Sequence, residues 1–315
     1  MANADDPDGV TLTAGPLEVV FLPGLGMLGV ALRHRHEDLL ALPGGLAGYR
    51  AGNVTGLPLL APWANRLGSR RYEVDGVAVD LSGLDLPTDP QGLPIHGTMT
   101  AQPGWEVVAR DERSLDARFD YGARPDLLAA FPFPHELRIA ASVDPTGLTM
   151  ATTIAATSDR AVPVSFGYHP YLRLPGVARA DVHLRLPDRE HLDLDDRRLP
   201  VGTGQAEAAE ERPIGVRTFD DLYALGDDRR LAVAGGGRRV TVALGDGYPY
   251  AQVFAPPGED VVCLEPMTAP ANALVAGDYA VAPPGEPFTA TFRVEVGDMM
   301  GDGRPSSAEP DQPFV

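Results

Sequence analysis

The 315-residue chain contains no lysine, and all 26 of its basic residues are arginine. That absence removes every chemistry that depends on a lysine amine: Schiff-base aldol chemistry, pyridoxal-phosphate catalysis and the Walker-type phosphate loop. Cysteine is almost as scarce. The lone Cys263 excludes an intrachain disulfide and a cysteine-rich zinc site, and it fits a reducing compartment. No apolar run approaches the length that spans a bilayer, and the N-terminal MANADDPDGVTLTAG has neither a basic region nor an apolar stretch of the signal-peptide kind. A soluble, cytoplasmic protein is expected. The 44 acidic residues leave a formal net charge of -18, which repels phosphate backbones and anionic lipid. Neither nucleic acid nor a membrane is an expected partner, and an acidic surface suits a monomer or a homodimer equally. HExxH, Cys/His metal spacing and the Gly-x-Ser-x-Gly elbow are also missing. No protein-bound catalytic metal is expected.

What the chain does have is short strands. Tyr72–Val74 and Val77–Val79 flank Asp75-Gly76, a strong two-residue hairpin signal. Similar pairs are Trp105–Arg110 with Leu115–Tyr121, Glu136–Val143 with Leu148–Thr157, and Leu231–Ala234 with Arg238–Leu244. Val182–Leu186, Tyr250–Phe254, Val261–Glu265 and Phe288–Val296 add further strands. The 35 glycines and 31 prolines break most windows long enough for a helix. An all-β sandwich or barrel is expected. No linker divides the chain, so one domain over residues 1–315 is expected, with its core at about 15–297. The acidic stretch Gly202–Arg212 reads as an inserted surface loop and Gly301–Val315 as a frayed tail.

Gly24-x-Gly26-x-x-Gly29, after the strand-like Leu17–Leu22, has the spelling of a dinucleotide-binding loop. That motif needs a helix next, within a βαβ unit. Val30–His34 reads instead as another strand, so the glycines are expected to form a β-turn.

Five polar residues stand in settings suited to chemistry. Glu265 ends the apolar run Val261–Leu264 and is followed by Pro266. Burying an ionised carboxylate without partners costs several kcal/mol, so this glutamate is paired with an arginine, exposed or employed, and partial desolvation would raise its pKa toward that of a useful base. His169 lies between Tyr168 and Pro170, with Tyr171 beyond, and a residue before proline is held extended. His96 precedes Gly97, where backbone can approach closely. Arg66 lies in the irregular segment LAPWANRLGSRRY, and Asp220 in TFDDLYAL, where an Asp pair is commonly a cap. His135, His183 and His191 have no comparable setting and read as surface or strand residues.

In this order the pieces resemble the aldose 1-epimerase (galactose mutarotase) family, and within it the less characterised epimerase-like branch. The fragments are Asn65-Arg66, IHG at Ile95–Gly97, GYHPYLRLPG at Gly167–Gly176, FDDLY at Phe219–Tyr223 and LEPMTAPANAL at Leu264–Leu274. The resemblance implies a large antiparallel β-sandwich that holds a sugar in a cleft on one sheet, without a cofactor. It implies Glu265 as catalytic base, His169 as general acid, and Arg66, His96 and Asp220 as sugar-binding residues, with Asp221 a competing register for the last. Hexose-6-phosphate epimerases share this fold, and Arg66, Arg70, Arg71 and Arg173 could gather around a phosphate. Two rivals belong to other classes. A binding module would use Trp63, Tyr168 and Tyr171 as stacking surfaces, and a glycosidase would use Asp220 and Glu265 as its carboxylate pair.

Overall fold

The computed structural model describes residues 9–299. Gly301–Val315 lies outside them. Almost every element is a strand, and the strand pairs are antiparallel. A nine-stranded sheet runs Glu210–Pro213, His183–Leu186, Arg230–Gly235, Arg238–Leu244, Phe288–Asp298, Gly147–Ala156, His135–Asp144, Ser114–Asp120, Glu106–Arg110. An eight-stranded sheet has Phe219–Leu225, Tyr250–Ala255, Val262–Met267 and Gly167–Tyr168 at its centre, with Tyr171–Leu172 also on Val262–Met267. A four-stranded sheet is built from Val10–Ala14, Leu17–Leu22, Leu28–His34 and Glu37–Asp38. Alternate residues of all three sheets, such as Leu12, Val19, Leu137, Ile139, Val253 and Leu264, meet in one apolar cluster. The chain is therefore the antiparallel β-sandwich that its strand pattern implies.

Local chemistry explains the hairpins. Asp75 and Gly76 both take positive φ (54° and 73°), as a two-residue turn between right-twisted strands requires, and Arg71–Val74 pairs with Val77–Asp80 around them. The glycine-rich Gly24–Gly29 segment likewise turns rather than starting a helix. Pro23–Leu25 form a single 3-10 turn, Gly26 is left-handed, and Leu28–His34 returns antiparallel to Leu17–Leu22.

One expectation is corrected and another is narrowed. Gly202–Arg212 is not a loop throughout: Gln205–Glu207 pairs with Arg189–His191, and Glu210–Pro213 pairs with His183–Leu186, so one stretch supplies an edge strand to each large sheet. Its polarity reflects edge position, where charged side chains discourage pairing with another chain. His135 begins a strand but is not a surface residue. Its ring is buried, stacks on Tyr121 at 4.4 Å and bonds through Nδ1 to the Phe133 carbonyl at 2.7 Å.

Burial pushes the His135 pKa down to about 4. Between pH 6 and 5 the unfolded chain therefore binds a proton at this position that the folded chain does not, so stability falls as pH falls. Urea unfolding is expected to lose about 1 kcal/mol per pH unit there from this group. His135→Phe should remove that increment of slope; an unchanged slope would show that the ring is accessible to protons.

Candidate active site

Val262–Met267 is buried along its whole length. Val262 and Leu264 point into the main core, whereas Cys263 and Glu265 point to the opposite face. A strand covered on both faces reads as a continuous apolar run, and Glu265 is the exception within it. Its cross-strand partner on Tyr250–Ala255 is Gln252. Leu222 and Asp220 stand on the same face of Phe219–Leu225, because Leu222 is opposite Gln252 and alternate residues share a face.

The segment Leu59–Leu67 starts as the strand beside Gly167–Tyr168, and its Leu60 and Ala64 pack with Leu222 and Met267. Trp63 bridges to Ser165, Ala61 to Gly97 and Arg66 to Ile95. Gly97 is where the backbones come closest, since a Cβ there would lie 2.1 Å from the Ala61 carbonyl oxygen, and its φ is +69°. Only glycine fits. Asn65, His96 and Asn272 around it are left-handed as well, with φ of 55°, 63° and 68°. Non-glycine residues adopt that conformation at a cost and concentrate it at functional sites.

These elements bring the sequence-identified residues together. His169 Nε2 lies 3.1 Å from Glu265 Oε1, and both side chains are buried. The His96 ring meets the His169 ring edge to face at 5.6 Å, and Tyr171 stacks on His169 at 4.5 Å. Arg66 Nη2 reaches Asp220 Oδ2 at 3.4 Å. Asp220 does not cap a turn; it lies within a strand, and it rather than Asp221 shares the Glu265 face. Asp221 faces His191, 3.5 Å from its Nε2.

Sequence reasoning missed three members of the cluster. Gln252 donates from Nε2 to Asp220 Oδ1 at 2.7 Å, and its own Oε1 is buried without a partner. Asp89 accepts from Arg66 Nε at 2.9 Å, and Asn65 Oδ1 accepts from Arg66 Nη1 at 3.1 Å. The alternation of YAQVF placed Gln252 on one face of a strand, but only strand register sets it beside a catalytic candidate. Asp89 in PTDPQG carries no local mark of a buried ion pair.

Burial governs the protonation of the central pair. It pushes the Glu265 carboxyl well above the carboxylate range, aided by the Asp220 charge and opposed by Arg66. It pushes His169 down to about 3, and it lowers His96 too, with His169 and Arg66 adding to that effect. Although the 3.1 Å contact has ion-pair geometry, both shifts favour a neutral carboxylic acid against a neutral imidazole. Burial thus works against charge on either partner.

Other expected contributors lie elsewhere. Arg71 pairs with Asp80, Arg70 bonds to the Leu81 carbonyl, and Arg173 bonds to the Asp38 carbonyl. They do not gather around Arg66. Arg198 does approach, with Nε 3.8 Å from Asp220 Oδ2. Trp63 and Tyr168 are buried in the core and present no stacking platform. A cavity of about 640 Å³ is lined by Ala41, Arg173 and Val261 among others, and none of the five sequence-identified residues borders it.

Fold and site together describe an antiparallel β-sandwich with a buried histidine–glutamate pair in one sheet. The family model described as aldose 1-epimerase matches residues 28–295, and the chain belongs to that family. No curated protein matches the sequence. Among solved structures, the chain is similar to a galactose mutarotase-like protein from Clostridium acetobutylicum (TM-score 0.80, 19% identity, 92% of this chain and 95% of that one). It is also similar to a galactose 1-epimerase from Lactobacillus acidophilus NCFM (0.73, 15%, 92% and 94%). An aldose epimerase homologue from C. elegans aligns comparably (0.75, 14%, 92% and 98%). At these identities the likeness concerns the fold.

Gly97→Ala is expected to cost about 3 kcal/mol in unfolding free energy, the upper end for a residue forced into strained backbone. Urea denaturation measures it, and a change below about 0.5 kcal/mol would mean that the Ala61 carbonyl yields freely.

Proposed function

We propose that the protein is an isomerase that interconverts the α and β anomers of a neutral hexose by acid–base ring opening. Glu265 exchanges a proton with the C1 hydroxyl, and His169 exchanges one with the ring oxygen. The observation that carries this reading is the 3.1 Å contact between His169 and Glu265, enclosed with Arg66, His96, Asp220 and Gln252.

Proton accounting supports the pairing. Ring opening takes a proton from O1 and gives one to O5; closure reverses both transfers on the other face of the aldehyde. A carboxylate and an imidazolium meet those needs in the ring forms. A carboxylic acid and a neutral imidazole are what remain beside the open chain. The pair keeps one proton in both states, so no exchange with solvent is needed during turnover. The burial that favours the neutral pair therefore favours the arrangement that accompanies the open-chain aldehyde. Arg66 and His96 supply donors where an oxygen becomes negative, and Asp220 with the unpartnered Gln252 Oε1 supplies acceptors for hydroxyls. The chemistry asks for no cofactor.

A neutral sugar fits the charges. Arg66 and Arg198 are opposed by Asp89 and Asp220, which leaves no excess positive charge for a phosphate. A binding module would not need an acid against a base, and its expected aromatic platform is buried.

Polarimetry of freshly dissolved α-D-glucose and α-D-galactose tests the reading directly. Acceleration is expected with one or both, and Glu265→Gln should lower kcat by about 10²–10⁴-fold. Full turnover in a folded Gln variant would remove Glu265 from its role. Glucose 6-phosphate preferred over glucose would replace the neutral substrate class with a phosphorylated one.

The pH profile gives a second test. Activity requires one proton on the pair, so it is lost below the lowered His169 pKa of about 3 and again as pH rises through the raised Glu265 pKa. After subtraction of the uncatalysed rate, kcat/KM is expected to show no fall between pH 7 and 5. A tenfold drop centred near 6.5, the ordinary histidine value, would contradict the burial argument.

A further inference from the structure

Arg66 is offered to the site by irregular backbone. Asn65 before it is left-handed, with φ 55°. The arc that follows is tied at both ends to one distant residue, Asn272. The Asn272 N–H donates to the Arg66 carbonyl at 2.7 Å, and its Oδ1 accepts from the Gly68 N–H at 2.7 Å. Asn272 is itself left-handed, with φ 68°. Asparagine tolerates that conformation and still carries the side-chain oxygen, whereas glycine supplies the conformation alone.

Asp89 holds the guanidinium from the other side. Its Oδ2 accepts from Arg66 Nε at 2.9 Å. Its Oδ1 accepts from the Gln91 and Leu93 N–H groups at 3.0 and 2.9 Å, so the carboxylate is locked by its own turn. With Nη1 on Asn65 Oδ1, only Nη2 retains a loose contact, the 3.4 Å approach to Asp220. The guanidinium is thus aimed, with one nitrogen left to donate to a ligand.

We propose that Asp89 and Asn272 are positioning residues for the sugar site, Asp89 fixing the guanidinium of Arg66 and Asn272 fixing the backbone that carries it. This rests on the aldose-epimerase reading of the site. Neither residue touches the reacting atoms; both act through Arg66. Asp89 also offsets the Arg66 charge, which otherwise bears on Glu265.

A double-mutant cycle read by polarimetry tests the assignment. Asp89→Asn keeps an acceptor, and Asn272→Gly keeps the left-handed backbone, so both variants are expected to fold, with urea midpoints checked. Each should lower kcat/KM by about 10–100-fold, the range for a small misplacement of a binding group. In an Arg66→Gln background neither should lower it further. Asn272→Asp, which retains Oδ1, should recover most of the loss. Asp89→Asn should also move the alkaline limb of the pH profile to lower pH, because the uncompensated guanidinium favours ionised Glu265. Losses that multiply independently of Arg66, or that track the urea midpoint alone, overturn the assignment while leaving the epimerase reading intact. A wild-type chain that accelerates mutarotation of no aldose overturns both.

Discussion

A carboxyl group buried on a strand with both faces covered is expensive, since an ionised carboxylate removed from water costs several kcal/mol unless it is paired or neutralised. Glu265 sits 3.1 Å from His169 Nε2, and burial raises its carboxyl well above the carboxylate range. Much of the surrounding structure serves this arrangement. Leu59–Leu67 extends the sheet beside Gly167–Tyr168, Gly97 lets the His96 segment come down onto Ala61, and Tyr171 and His96 both contact the His169 ring. In a dry site, the same desolvation that raises the carboxyl strengthens every fixed dipole aimed at a bound sugar.

The site also stores backbone strain. Left-handed Asn65, His96 and Asn272 each cost folding energy, and each is over-determined by hydrogen bonds to a neighbouring segment. His96 N–H donates to the Asn65 carbonyl at 3.0 Å, and Asn272 N–H to the Arg66 carbonyl at 2.7 Å. The three polar corners of the cluster are therefore braced against one another. The large antiparallel sheets, with long hairpins such as His135–Asp144 paired with Gly147–Ala156, provide the stability that such corners draw upon.

How much was legible in the sequence follows from range. Asp75-Gly76 announced its hairpin because a two-residue turn is decided by two residues. Val30–His34 after the glycine triplet was readable as a strand from its own composition, which disposed of the dinucleotide-loop spelling. Glu265 was conspicuous as one carboxylate closing an apolar run. His135 was readable as a strand residue, but nothing beside it in sequence tells that Tyr121 will stack on its ring. Gly202–Arg212 was misjudged because edge strands carry loop-like charge. Asp220 and Asp221 could not be told apart, since strand period puts neighbours on opposite faces and only register says which face holds the site.

The sequence by itself determined the β class, the hairpins, the exclusion of lysine-dependent chemistry, and the short fragments that carry Glu265, His169, His96, Arg66 and Asp220. These rest on residue type and on neighbours within a few positions. Tertiary structure alone decided that the five residues converge, that Gln252 and Asp89 join them, and that the arginines at 70, 71 and 173 do not. It also decided the burial of the central pair. Convergence and desolvation are sums over segments far apart in the chain, from Asn65 to Asn272, and no local pattern encodes the distance between them.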